Sequence, residues 1–307
     1  MKKYIILIIS ALCAVSCKNK SLYYGEDIPA NRQKVDVVIH WNEDDTRPTQ
    51  GMRVNLFSLN EMSAYGMDDL ECEGGTLHLR HGSCHMTLCY NYHGNNIYFR
   101  NEGHSDLIEA YCNSVVRATY SKTFPDESTV AEPDAQFYVG KNDVFDVYQS
   151  DENLTLDLYP SNVMQTYTFE VRGVSGTKFI SATRGAISGM SNSYYLNSGT
   201  LSTTVSTLLF NATADVSGSM ITGSFRTFGR IDNTTNNFTI EVLYPSSTGG
   251  ILQKTWDVTD QISNGTNFHI IIEDSGIDVP DEGGSAGEGG GFEADVEEWE
   301  DEVIELK

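Results

Sequence analysis

Five side chains able to ligate a metal or form a covalent bond fall within twelve residues: His78, His81, Cys84, His85 and Cys89. Zinc takes four such ligands at tetrahedral geometry. A hairpin turning at His81-Gly82-Ser83 would bring His78 towards Cys84 or His85. Yet strand alternation sends successive side chains to opposite faces, and the stretch has no Cys-x2-Cys pair. The cluster reads as solvent-facing histidines with buried or bridged cysteines, and no metal is expected. Asp274, Asp278 and Asp281 lack the spacing of a calcium loop and read as a solvated, acidic strand end. There is no Gly-x-Ser-x-Gly elbow, no His-Glu-x-x-His and no Gly-x4-Gly-Lys-Ser/Thr loop. Neither catalysis nor a cofactor is expected.

The one covalent chemistry with a clear signal lies at the N-terminus. Met1-Lys2-Lys3 is a positive start, Tyr4–Leu12 is apolar except for Ser10, and Ala14-Val15-Ser16 supplies small residues before Cys17. That order is a secretory signal, and the apolar run is far short of the roughly 20 residues a spanning helix needs. A small residue directly before Cys resembles a bacterial lipobox, although position −3 is Ala14 where Leu is usual. Cys17 is therefore expected to become an acylated, palmitate-bearing N-terminus in the outer membrane; ordinary cleavage after Ser16 is the alternative. Acyl chains contribute about 0.8 kcal/mol per buried CH2, and two or more anchor stably.

Six cysteines are present. With Cys13 removed and Cys17 lipidated, Cys72, Cys84, Cys89 and Cys112 remain. An even number in an exported chain permits two disulfides. Cys84 and Cys89 lie too far apart along one strand to bond each other. Cys72–Cys89 with Cys84–Cys112 is one reading; four free thiols buried as small hydrophobes is the other.

The formal net charge is −23. Such a chain repels phosphate backbones, so nucleic acid is not an expected partner. It gains nothing from anionic lipid either, so attachment to the membrane rests on the acyl group.

The elements that must carry these residues are short strands. Lys34–Trp41 alternates, with Val35, Val37, Ile39 and Trp41 on one face. Arg53–Leu59, Thr76–Arg80, Cys84–Tyr90, Ile97–Arg100, Ser114–Tyr120 and Gln136–Val139 continue the pattern. Asn153–Tyr159 opens a second half in the same style, with runs at 166–171, 177–183, 207–213, 220–228, 238–244, 252–258 and 268–273. Short strands with Gly and Asn turns predict a sandwich or barrel, and the length suits two sandwiches in tandem. The expected division is 1–16 lipoprotein signal peptide, 17–33 lipidated tether, 34–150 N-terminal β-sandwich, 151–280 C-terminal β-sandwich and 281–307 a Gly-rich acidic tail. In that tail Phe292, Val296, Trp299, Val303 and Leu306 recur at helical spacing, and they are expected to dock on this body or on a partner; a disordered acidic tail is the alternative. The sixteen tyrosines could line a sugar-binding face, which keeps a glycan- or ligand-binding surface lipoprotein as the second reading.

A series of short motifs gives the chain a family resemblance. Gly51-Met52-Arg53-Val54, Gly74-Gly75-Thr76-Leu77, Tyr90-Asn91 and Asn96-Ile97-Tyr98-Phe99-Arg100 stand in the first half. Tyr167-Thr168-Phe169-Glu170-Val171, Ile187-Ser188-Gly189-Met190, Gly223–Gly229 and Trp256–Gln261 follow, with Gly290-Gly291-Phe292 and Trp299 in the tail. In order, these resemble the fimbrillin-like lipoproteins of anaerobic Gram-negative bacteria, in a branch known mainly as a domain of unknown function. Where relatives carry acids after Tyr-Asn, this chain has Tyr92-His93-Gly94. The resemblance implies two transthyretin-like sandwiches and a place in fimbriae as anchor, stalk or tip, at the cell surface or in the periplasmic leaflet. It also implies assembly with fimbrial subunits by strand addition; a glycan or host ligand is a further partner to be expected of an adhesive subunit. In stalk subunits of that family a protease specific for Arg or Lys removes an N-terminal segment and opens a groove. Here Arg47 is followed by Pro48, a poor site for such an enzyme, so an uncut anchor or accessory subunit is expected.

Overall fold

The computed structural model describes residues 31–94, 96–246, 250–281 and 302–303. It is almost wholly β. The alternating run at the start forms β1 (Arg32–Ile39), followed by β2 (Met52–Ser58), β3 (Ala64–Leu70), β4 (Gly74–Arg80) and β5 (Ser83–Tyr90). The chain then crosses through β6 (Tyr98–Arg100), β7 (Glu109–Tyr111), β8 (Val115–Val116), the helix α1 (Ala118–Thr123) and β9 (Thr129–Ala131). It returns in β10 (Tyr138–Val147), β11 (Leu154–Leu158) and β12 (Ser161–Asn162).

These strands build a first sandwich of a three-stranded sheet, β11-β1-β4, over a five-stranded one, β12-β10-β5-β2-β3. Its core is the apolar set predicted by alternation. Val35, Val37 and Ile39 meet Leu77 and Leu79, Leu154, Leu156 and Leu158, and Met52, Val54 and Leu56 from the facing sheet. The central strand β5 is buried on both faces. Cys89 points into this core, while Met86, Leu88 and Tyr90 point into a second core beyond.

The second sandwich uses β13 (Gln165–Val171), β14 (Ala182–Ser191), β15 (Ser193–Tyr195), β16 (Thr200–Leu201), β17 (Val205–Asp215), β18 (Met220–Thr227), β19 (Asn237–Tyr244), β20 (Gly250–Asp257), the helix α2 (Thr259–Ile262) and β21 (His269–Ile272). The order is β20-β19-β14-β17-β18-β13-β21. The long β17 passes from one layer to the other: Val205–Ala212 pair with β14 and Thr213–Asp215 with β18. Phe169, Phe210, Phe225 and Phe238 stack between the layers at ring-centroid distances of 4.5–6.4 Å.

The run expected at 177–183 is instead a 3-10 turn, Thr177–Phe179, with β14 starting at Ala182, and three further features differ from the sequence expectation. First, β4 and β5 are not a hairpin. β4 pairs with β1 and β5 with β2 and β10, so the chain arches between the two sheets at Gly82, whose φ is 73°. His81 N donates to Asn31 O and Gly82 N to Val147 O, which fastens the arch across the end of the sandwich. Second, sheet membership changes between Asn162 and Gln165 rather than at 150. β11 lies beyond 150 yet runs parallel to β1, with Val35 opposite Leu154 and Ile39 opposite Leu158. Third, Ser114–Tyr120 is not one strand. β8 stops at Val116 because the next residue, Arg117, turns inward and donates to Gly185 O at 2.9 Å and Phe210 O at 3.4 Å. The chain continues as α1, packed on the second sandwich through Tyr120, Ala186 and Leu209.

Candidate functional site

The first strand is seated as a plug. Val35, Val37 and Ile39 are 0, 3 and 5% exposed, and complete burial of each aliphatic side chain stabilises by about 1.5–3 kcal/mol. Both backbone edges are bonded, antiparallel to β4 and parallel to β11. Without β1, the two neighbouring strands would face each other across a gap floored by Met52, Val54 and Leu56. Unpaired N–H and C=O groups along such a gap are a template for another strand.

Side chains lock both ends of the plug. Gln33 donates from Nε2 to Glu152 O at 2.8 Å and accepts from Ser150 N at 3.0 Å, tying the start of β1 to the approach to β11. At the other end Trp41 Nε1 donates to Cys72 O at 2.7 Å, and Thr46 N donates to the Tyr138 hydroxyl at 3.0 Å. The Cys72 thiol donates to the Pro48 carbonyl. Arg47 is solvent-exposed and lies 3.5 Å from the Glu73 carboxylate.

Cys72, Cys84, Cys89 and Cys112 are all free thiols, and neither Cys72–Cys89 nor Cys84–Cys112 is formed. The folding path places them apart. Cys72 holds the Pro48 loop, and Cys84 shares an edge with Asp146, whose carboxylate raises the thiol pKa. Cys89 is in the first core, where burial pushes its pKa up to about 12, and Cys112 is buried in the second core, which also raises its pKa. Buried thiols of this kind are inert small hydrophobes.

The histidine cluster is divided by the arch between β4 and β5. His78 is exposed on the three-stranded sheet, whereas His85 is 1% exposed in the other. His85 sits with Nε2 2.8 Å from Ser83 Oγ and its ring 4.2 Å from that of Tyr65, and burial lowers its pKa. Asp274, Asp278 and Asp281 are exposed at the end of the second sandwich. Among the described residues no three His, Cys, Asp or Glu side chains form a metal-holding group. Among them, too, no helix is long and apolar enough to cross a membrane.

Cys17 lies outside the described residues, as do Phe292, Val296, Trp299 and Leu306 of the tail. The described part of the tail is extended: Glu302–Val303 form β22, antiparallel to β8 with Val303 opposite Val115. Sequence reasoning did not find most of β14, whose run was placed at 177–183, nor the short β7, β9, β12, β15 and β16, nor the exposed edge strand β3. Its residues are mostly solvated and show no apolar alternation, so the periodic signal that marks strands is missing.

A search of curated proteins finds no match. Among solved structures, a candidate adhesin from Bacteroides ovatus is similar with a TM-score of 0.63 at 21% identity, over 81% of this chain and 93% of that one. The fimbrial anchor protein Mfa2 from Porphyromonas gingivalis is similar with a TM-score of 0.50 at 12% identity, over 76% of this chain and 85% of that one. At these identities the likeness is one of fold. A family profile described as a domain of unknown function, DUF5119, matches residues 16–211, well over half of the sequence, and the chain belongs to that family.

Proposed function

We propose that the chain is an outer-membrane lipoprotein, anchored through acylated Cys17, that serves as an anchor or accessory adhesive subunit of fimbriae and meets neighbouring subunits by strand addition. The observation that carries this reading is the seat of β1: a core-filling strand between two others, joined to β2 by a loop containing Arg47-Pro48. While β1 stays in place the first sandwich has no groove to offer. Such a subunit ends a fibre rather than extending it. The names of the two similar proteins, an adhesin and a fimbrial anchor, agree with that place.

The topology narrows which cut would change the role. Arg32 and Lys34 lie within β1, so cleavage there leaves Val35, Val37 and Ile39 seated. Only cleavage at Arg47 separates β1 from the body, because the next basic residue, Arg53, is inside β2. Pro48 disfavours that cut, and the loop is held by Cys72, Glu73 and Tyr138.

The test is the intact mass of the mature protein taken from its native envelope. A mass beginning at acylated Cys17 is the expected result. A chain beginning at Pro48 would mean an opened groove and a polymerising stalk subunit, and would overturn the proposal. A chain beginning after Arg32 or Lys34 would remove the lipid anchor and overturn it as well.

A further inference from the structure

A cleft of about 680 Å³ opens between the two sandwiches, within the roughly 300–1,000 Å³ range of small-molecule sites. Arg47 lines it from the loop after β1, Tyr92 and His93 from the turn after β5, Asp134 from the segment returning to β10, and Arg226 from β18. Hydrogen bonds pin these walls to one another. Thr46 N donates to the Tyr138 hydroxyl at 3.0 Å. Asn91 Nδ2 donates to Gln136 O at 3.0 Å, and Tyr138 N donates to Asn91 Oδ1 at 2.7 Å. The Arg53 guanidinium lies 4.2 Å over the Tyr92 ring and holds it.

Two opposite charges in these walls lack a counter-ion. Arg226 is half-buried. Its Nη1 donates to the main-chain oxygen of Asp134 at 3.3 Å, and Glu132 accepts from its backbone N at 3.0 Å rather than from the guanidinium. Among the described residues no carboxylate forms an ion pair with Arg226, and Nη2, which unlike Nε is open to solvent, has no partner there. A guanidinium partly withdrawn from water favours an anion held on parallel N–H groups, and a carboxylate fits that fork. Asp134, exposed on the same wall, forms no ion pair among the described residues either. Arg47 lies 3.5 Å from Glu73 with both side chains largely exposed; such a pair contributes little, so exchanging Glu73 for a ligand carboxylate costs little. The net charge of −23, and Asp134 itself, oppose a phosphate or a polyanion. A ligand carrying one carboxylate and one ammonium has no net charge to be repelled, and it satisfies both unpaired groups. The rings of Tyr92 and the exposed His93, 3.9 Å apart, supply an apolar side for whatever else it carries.

We infer that this cleft binds a small zwitterion, a free amino acid or a short peptide, with its carboxylate on Arg226 and Arg47, its ammonium on Asp134 and its side chain against Tyr92 and His93. Arg226 and Asp134, which carry the two unpaired charges, lie outside β1 and its loop, so occupancy of the cleft does not depend on whether the chain is a fimbrial anchor.

The test is calorimetric titration of the mature full chain with phenylalanine, with glycylphenylalanine, and with the C-terminally amidated and N-acetylated forms of that dipeptide. Inorganic phosphate and succinate serve as anions without an ammonium. Saturable binding of phenylalanine or of the free dipeptide is expected, and the tighter of the two shows whether the ligand is an amino acid or a peptide. Amidation and acetylation are each expected to weaken binding of the dipeptide about tenfold, the loss of one charge-assisted contact. In Arg226→Gln the amidated and free forms should bind alike, and in Asp134→Asn the acetylated and free forms should. Each comparison is made within one variant, so a general loosening of the fold does not imitate it. If Arg226→Gln does not fold, the exposed Arg47→Gln replaces it and is expected to shrink the difference between amidated and free forms. No saturation by either zwitterion at millimolar concentration, tighter binding of phosphate or succinate, or differences between the forms that survive these substitutions would each overturn the inference.

Discussion

Glu132 shows how one residue can set a pH dependence. It sits where the chain leaves β9 to return to the first sandwich. Its backbone N donates to Leu209 O at 3.1 Å, its backbone O accepts from Asn96 Nδ2 at 2.9 Å, and its Oε1 accepts from Arg226 N at 3.0 Å. Burial raises its pKa from the ordinary 4.5 to about 7; the bond from Arg226 N and the Arg226 charge oppose that rise, while Asp134 adds to it. Between pH 4.5 and 7 the folded chain therefore keeps a proton that the unfolded chain has released. Stability from this residue is greatest towards the acid side of that window, falls as pH rises through 7, and stays lower above it. At 1.36 kcal/mol per pH unit the bound is about 3 kcal/mol, and partial exposure screens it to on the order of 1–2 kcal/mol. Glu132→Gln keeps the acceptor for Arg226 N and removes the charge. The expected outcome is near-equal stability at pH 5 and a gain of that size at pH 8, read from urea unfolding at the two pH values. An unchanged difference between the two would assign the dependence elsewhere. Nothing in the local sequence marks Glu132, because its burial comes from strands far away in the chain. Val35, Val37 and Ile39, by contrast, are legible from alternation alone.

At the scale of the element, β1 and β4 are matched through the Gly74-Gly75-Thr76-Leu77 motif. Gly74 has φ of 116°, a region that side chains avoid, and a Cβ there would run into the Val37 carbonyl. Its partner in the ladder is Val38, and Ile39 N donates to Glu73 O at 3.1 Å. The glycine thus lets β4 start close against the plug. Gly74→Ala is expected to cost roughly 1–3 kcal/mol through strain at the β1–β4 contact. Thermal unfolding should show the midpoint falling by several degrees. The same variant should make Arg47 easier for trypsin to cut, because β1 is held less firmly. A midpoint within error of the parent's would show that β1 is not held through this contact. β1, β4 and β5 were legible in the sequence, but their partners were not. A three-residue connection between two alternating runs reads as a hairpin. Here Gly82 and the bonds to Asn31 O and Val147 O turn it into an arch between sheets, and that depends on residues 50 and 65 positions away. This one difference takes His78 out of reach of Cys84 and His85, so the cluster that looked most like a metal site is divided by topology.

The whole molecule is two sandwiches laced by chain that crosses more than once. After β5 the chain leaves for the second sandwich, where β7 pairs with β15 and β9 runs parallel to β17. It then comes back to complete the first with β10, β11 and β12. The two also share apolar packing: Phe57, Met86, Leu88 and Tyr90 of the first belong to one continuous core with Phe137, Phe169, Phe225 and Phe228. A division at 150 follows from the clean alternation that begins at Asn153, and alternation cannot detect a strand that pairs backwards. It follows that residues 34–150 expressed alone lack β11 and β12, leave one side of β1 unpaired, and bare the large apolar face of β5. That fragment is expected to be insoluble, or to bind a hydrophobic dye as a loose state without near-ultraviolet dichroism. The chain from 31 to 281 should unfold in a single transition, with tryptophan fluorescence and far-ultraviolet dichroism coinciding, because the shared core couples the sandwiches. Two separated transitions, or a well-packed 34–150 fragment, would show that the crossings are loose tethers. In that case a pull on one sandwich would not be carried to the other through packed side chains.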